Sequence, residues 1–136
     1  SDVCSSDLED VDFDAGENMF GVECLSESEA WAVGQEATLL HTSDAGAYWE
    51  RVDNDGENFY YDLKDITFNA DHSQGWAVGD GGTILHSTDG GETWPAEDST
   101  VKHDLKSVAV TASGTTFTVG SWGVILMSAP TGVAQQ

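Results

Sequence analysis

Basic residues are almost absent from this chain. Four Lys plus Arg stand against 25 Asp plus Glu in 136 residues, for a net charge of −21. That balance argues against nucleic acid as a partner, because phosphates demand a basic surface, and against an anionic lipid surface for the same reason. No run approaches the roughly 18 apolar residues of a membrane span, so membrane insertion is not expected. Cysteine is limited to Cys4 and Cys24, too few for a disulfide framework or a metal cluster. No window keeps a helical apolar period. A disordered acidic tail is also disfavoured: the acids are spread along the whole length, and 39% hydrophobic residues with five Trp can build a core.

What the chain has instead is a repeat. The stretch Trp76–Trp94, WAVGDGGTILHSTDGGETW, recurs upstream as Trp31–Trp49, WAVGQEATLLHTSDAGAYW, 45 residues earlier. A third copy, FTVGSWGVILMSAPTG, begins at Phe117, 41 residues after Trp76. Each unit reads as a strand (Trp76–Gly79), a tight turn, a second strand (Thr83–Ser87), a second turn (Asp89–Gly91) and the start of a third strand. Ahead of the units, Met19, Val22 and Cys24 match Leu63, Ile66 and Phe68, and also Leu105, Val108 and Val110, as the buried face of a first strand. Leu39–Thr42, Ile84–Ser87 and Ile125–Ser128 form the third strand, and Trp49–Asp53 and Trp94–Glu97 begin the fourth. Four antiparallel strands per 40–45 residues make the blade of a β-propeller.

The expected fold is therefore all-β, with four-stranded antiparallel blades. About three blades cannot close a ring that typically needs four to eight, so an open arc of a truncated propeller is expected. Ser1–Leu8 (SDVCSSDL) fits no repeat, resembles the translation of a common sequencing adapter, and is read as an unstructured scar. Residues 9–18 are then the outer strand of a lost blade, 19–58 and 59–101 two blades, and 102–136 a partial last blade. On this reading any targeting signal is lost with the start, and an extracellular or cell-surface setting is favoured. Cys4 would be an artefact, and Cys24 a small core residue. The lost flank and an unpaired strand edge predict that the isolated chain associates with itself.

The turns carry a recognisable pattern. Ser87, Asp89, Gly91, Thr93 and Trp94 match the Asp-box, or BNR, motif S-x-D-x-G-x-T-W. Thr42, Asp44, Gly46, Tyr48 and Trp49 are a looser copy, and the last copy puts Pro130 in the Asp place and Gln135 in the Trp place. The Asp accepts hydrogen bonds from following N–H groups, Gly supplies positive φ, and Trp packs beside the turn. This is a turn staple and not a catalytic site. With the WAVG strand, the copies resemble the photosystem II assembly/stability factor type of β-propeller from about Met19 to Ser128. That resemblance implies a non-enzymatic scaffold or protein-binding module. Similar repeats also occur in sialidases, other glycoside hydrolases and secreted proteins, so a hydrolase fragment and a structural surface-protein segment are the alternatives. Abundant acid with almost no lysine resembles the surface of a salt-loving protein.

No catalytic residue, cofactor or metal is expected. A sialidase needs several arginines, and Arg51 is the single one here. Asp53–Glu57 reads as a solvated acidic turn, since Arg51 occupies the first ligand place of a calcium-loop register. His41 and His86 share one repeat position with Met127, which marks packing and not metal ligation. Gly79–Gly82 is a hairpin turn, with no helix after it to receive a phosphate. Two features point to a protein partner. Trp122 stands in the turn where other copies place Gly81 and Glu36, and the loop before Leu63 carries Phe59, Tyr60 and Tyr61. These connections open on one face of a propeller, and clustered exposed aromatics make a contact surface. Asp55, Glu57, Asp62 and Asp80 around them favour a basic partner. The alternative is that Phe59 and Tyr61 cover the blade top while Trp122 fills space against a neighbour.

Overall fold

Three antiparallel sheets follow one another along the chain. The computed structural model describes residues 18–52, 61–97 and 99–128. Ser1–Leu8, the strand expected within 9–17, and Asp53–Tyr60 lie outside the described residues. The first sheet holds β1 (Met19–Cys24), β2 (Ala30–Gly34), β3 (Leu39–Thr42) and β4 (Glu50–Arg51) in chain order. The second repeats this with β5 (Leu63–Phe68), β6 (Gly75–Gly79), β7 (Ile84–Ser87) and β8 (Ala96–Glu97). The third has β9 (Leu105–Val110), β10 (Thr116–Gly120) and β11 (Ile125–Ser128). These are propeller blades, and the third-strand boundaries coincide with those expected from sequence.

The fourth strands differ from expectation. They are two residues long, and Trp94 stands before β8 instead of opening it. Two local causes act together. The Trp94 indole Nε1 donates to Gly91 O at 2.9 Å, turning the ring inward, and Pro95 has no N–H to offer a ladder. The first strands carry a register shift between Met19 and Gly21 and between Leu63 and Asp65. That bulge lets Leu63 and Ile66, three residues apart, face the same side.

The sheets stack through β1, β5 and β9. Each therefore has an up-chain face, towards the preceding sheet, and a down-chain face, towards the following one. Between the first two sheets Trp31, Val33 and Leu39 meet Leu63, Ile66, Phe68 and Trp94 in one buried cluster. Trp31 lies 5.5 Å from Phe68 and 5.4 Å from Trp94, and Phe68 meets Trp94 edge-on at 5.8 Å. Each such aromatic pair adds about 0.5–1.5 kcal/mol beyond area burial. Gly75 makes the fit possible, since a Cβ there would come within 2.8 Å of the Trp94 ring.

The second junction is built on the same frame and fills it less well. Trp76 and Val78 meet Leu105 and Val108, but Val110 stands where Phe68 does and Thr116 where Gly75 does. A cleft of about 320 Å³ remains, walled by Trp76, Val78, Ile84, Val108, Thr116 and Leu126. The Thr116 hydroxyl is buried there with no hydrogen-bond partner among the described residues.

Two expectations need correcting. Met19 and Val22 were expected to be buried with their repeat counterparts, yet both are exposed. No described sheet lies on that up-chain face. Cys24 on the same strand is exposed too and is no core residue. It is disulfide-bonded, contrary to the expectation of a lone thiol, and its partner lies outside the described residues.

Candidate functional site

The two ends of the blades are chemically distinct. At one end the Asp-box turns are closed by their own polar side chains, while the Ala45 and Gly90 N–H groups reach Ser28 O and Ser73 O of the neighbouring loops. Ser87 Oγ donates to Asp89 Oδ1 at 2.9 Å and accepts from Gly91 N at 2.8 Å. The other carboxylate contacts come from Thr93, whose N–H reaches Oδ1 at 2.9 Å and whose hydroxyl reaches Oδ2 at 2.6 Å. These Thr93 bonds, with help from Ser87, hold the Asp89 carboxyl at about 2. Trp94 then plugs the junction with no exposed surface. In the first sheet, Thr42 and Asp44 repeat the arrangement, with Gly46 N donating to Thr42 Oγ1 and Tyr48 N to Asp44 Oδ1. Tyr48 cannot supply the second carboxylate bond that Thr93 supplies. Asp44 is held below the usual carboxylate range, first by the Tyr48 N–H. Trp49 is only half-buried.

At the opposite end lie three one-turn 3-10 segments, Gln35–Ala37, Asp80–Gly82 and Ser121–Gly123. Their central residues are left-handed: Glu36 at φ 54°, Gly81 at 67° and Trp122 at 62°. Each turn is tied to the lead-in of its own first strand, through Gln35 N to Asn18 O, Asp80 N to Asp62 O and Ser121 N to Asp104 O. The next blade adds a second tie. Asp62 Oδ1 accepts from Glu36 N at 3.2 Å, and Asp104 Oδ1 accepts from Gly81 N at 2.9 Å. The two connection types therefore share one rim, as the repeat had implied.

Trp122 sits at the apex of its turn and is 88% exposed. Among the described residues its ring meets that of His103, centroids 6.0 Å apart. Tyr61 is 46% exposed, and its ring stands over Gly81, where a Cβ would come within 2.7 Å of it. Phe59 and Tyr60 lie outside the described residues, as do Asp55 and Glu57. Around Tyr61, Lys64 Nζ lies 3.9 Å from both Asp62 and Asp80. Burial pushes the Asp80 carboxyl up, with Asp104 and Asp62 adding to it while Lys64 opposes them. The rim thus combines exposed Trp122 and Tyr61 with an acidic ledge that, among the described ion pairs, meets the cation of Lys64.

The histidines pack as their repeat position implied. His86 stacks flat on Trp76 at 4.8 Å and His41 tilts onto Trp31 at 4.5 Å. Sequence reasoning missed their polar bridging: His86 meets Glu97 at 2.6 Å and Gln74 at 2.9 Å, and His41 meets Glu29 at 2.8 Å. It also missed the cross-blade caps, although the series Asn18, Asp62, Asp104 at one repeat position was a readable signal. Among the described residues, no group of three His, Cys, Asp or Glu side chains is placed to hold a metal, and no helix is long and apolar enough to cross a membrane.

Stacked four-stranded blades with these turns define an Asp-box β-propeller. The chain belongs to the Photosynthesis system II assembly factor YCF48 family, whose model matches residues 54–129. No curated protein matches it. Among solved structures it is similar to YCF48 bound to a D1 peptide, at 24% identity and a TM-score of 0.75, over 88% of this chain and 40% of that one. YCF48 from Cyanidioschyzon merolae matches at 22% identity and 0.76, over 93% and 41%. An ancestral GH74 enzyme matches at 13% and 0.58, over 88% and 21%. At these identities the likeness is one of fold, and the chain spans about two fifths of the two YCF48 structures.

Proposed function

We propose that this chain is part of a non-enzymatic propeller that binds an extended, basic protein segment on the rim carrying Trp122 and Tyr61, with Phe59 and Tyr60 adjoining in sequence. The observation that carries the reading is Trp122 itself. A bulky residue in the left-handed region costs about 1 kcal/mol or more, and at 88% exposure it recovers none of that by packing. The equivalent turn of the second blade uses glycine. An exposed indole beside Tyr61 and the Asp62, Asp80 and Asp104 carboxylates suits a segment bearing lysine or arginine next to apolar groups, because such rings bury area at low entropic cost. The YCF48 structure that carries a D1 peptide supports a peptide ligand for this kind of scaffold. The single arginine favours a non-enzymatic role, since Arg51 Nη1 donates to Thr38 Oγ1 at 3.1 Å and is placed as a strut. The acid excess further fits work in a salt-rich medium.

The test is a display library of random peptides selected on the chain in molar salt, then assayed on Trp122→Ala and Tyr61→Ala. Binders should be rich in Lys and Arg and weaken about tenfold or more on Trp122→Ala, the scale of one interface anchor. Equal binding to both variants, with loss on Ala45→Arg at the opposite rim, would place the site on the wrong end.

A further inference from the structure

The rim presents one exposed group per described blade. At the apex of the first turn it is the side chain of Glu36, an exposed residue at φ 54°. At the second it is the Tyr61 ring: Gly81 has no side chain, and a Cβ there would come within 2.7 Å of the ring that stands in its place. At the third it is the Trp122 indole, with the His103 ring against it. Tyr61 and His103 hold one repeat position, each directly before a capping Asp. Both aromatic stations are therefore built alike, from a turn apex and the residue leading into the first strand of the same blade.

The spacing of the stations is fixed by bonds between blades. Asp62, next to Tyr61, takes the Glu36 N–H at 3.2 Å. Asp104, next to His103, takes the Gly81 N–H at 2.9 Å, and its carbonyl takes the Ser121 N–H at 2.8 Å. Sheets packed face to face repeat at roughly 10 Å. A polyproline II segment rises about 3.1 Å per residue with three residues per turn, so it returns the same face about every 9 Å, close to that step. A β-strand returns the same face every second residue, about 7 Å apart, and falls out of step with the blades.

We propose that the bound segment lies across the blades in the polyproline II conformation and is read at every third residue. Its lysine or arginine meets Glu36, an apolar or aromatic residue meets Tyr61, and another meets Trp122. This rests on the reading of the rim as the partner site and adds to it a conformation, a pattern and a polarity, with the cationic end over the first blade. Polyproline II carries no internal hydrogen bonds, so its side chains do the recognising. That suits a rim on which the Glu36 and Gly81 N–H groups are already engaged. The two rings supply area at low entropic cost, and the carboxylate of Glu36 sets the direction.

The experiment takes peptides selected on the 136-residue chain and changes their spacing. Aligned, they should carry a Lys or Arg with apolar residues three and six positions away on one side. Inserting one residue between these positions should weaken binding about tenfold or more, the loss of one anchor. Proline at the positions in between should be tolerated, since polyproline II needs no N–H there. The place of the cation is tested by a double-mutant cycle, Glu36→Gln in the chain against Lys→Gln in the peptide, in the lowest salt at which circular dichroism shows both proteins folded. The two losses should overlap by about twofold to fivefold, the range of an exposed ion pair. Peptides that accept the insertion, lose binding on the intervening prolines or show no coupling to Glu36 overturn this proposal. If they still weaken on Trp122→Ala, the rim stands as the binding site and only the conformation and pattern fall. Binding indifferent to Trp122→Ala overturns both.

Discussion

At the Asp-box rim Trp94 is wholly buried between two blades, while at the opposite rim Trp122 stands 88% exposed on a turn of its own. Both rims are made of repeated turns, but the turns are supported differently. Around Asp89 the hydroxyls of Ser87 and Thr93 and the N–H groups of Gly91 and Thr93 are all engaged. A change there removes a strut. The opposite turns are held by backbone bonds, joined in the first two by one carboxylate from the next blade, so the side chain at the apex is not what secures them. That apex is free to be Glu36, Gly81 or Trp122. The contrast teaches where a repeat protein can place recognition: at the position whose backbone is secured by others.

Breaking the Asp-box side should have the largest effect. Trp94→Ala removes a fully buried indole from between Trp31 and Phe68, and should cost about 3–5 kcal/mol in denaturant unfolding. A loss below 1 kcal/mol would mean that the first junction is not locked by this ring. Ser87→Ala comes next. It strands the buried Gly91 N–H and should cost about 1–3 kcal/mol by the same assay.

Much of this rim was legible beforehand because an Asp-box is local: its residues bond within eight positions, and the third strands next to it fell where periodicity placed them. The fourth strands were overextended, since the role of Pro95 and the inward turn of Trp94 depend on packing. The alternation in β1 reads Met19, Val22 and Cys24 as a buried face, and their exposure follows only from the lack of a described sheet beside it. A repeat position shows which face can be buried, and only the neighbouring sheet decides whether it is. The same holds for the second junction. The exchanges of Phe68 for Val110 and Gly75 for Thr116 are visible in the repeat, but the cleft they leave follows from where Trp94 projects. Of the opposite rim, Trp122 and Tyr61 were legible as unusual residues at turn positions, whereas their Asp62 and Asp104 supports required knowing that each blade overlies the turn of the one before it.

The second junction offers a smaller test, in the stabilising direction. Thr116→Val keeps the shape and removes a buried, unpartnered hydroxyl, so it should raise stability by about 1 kcal/mol. An unchanged or lower unfolding midpoint would show that the hydroxyl is satisfied. A pH effect is expected at the Asp-box rim. The folded Asp89 carboxyl sits at about 2 against an ordinary 3.8, and Asp44 is shifted the same way. Their contribution is complete above the ordinary value and is lost as pH falls from there towards about 2. Acid unfolding followed by circular dichroism should steepen in that window, and Asp89→Asn should flatten the slope. Identical acid profiles would remove Asp89 from the account.

The most direct test of the division between a holding rim and a displaying rim is the melting temperature of Trp122→Gly with and without a peptide selected on the wild type. Without peptide, the change should alter stability by less than about 1 kcal/mol, because glycine relieves the left-handed backbone and no packing is lost. Peptide should raise the wild-type midpoint, as any ligand of the folded state does, and leave that of Trp122→Gly where it was. A peptide-induced rise of equal size in both proteins, or a variant that melts several degrees lower on its own, would contradict the account.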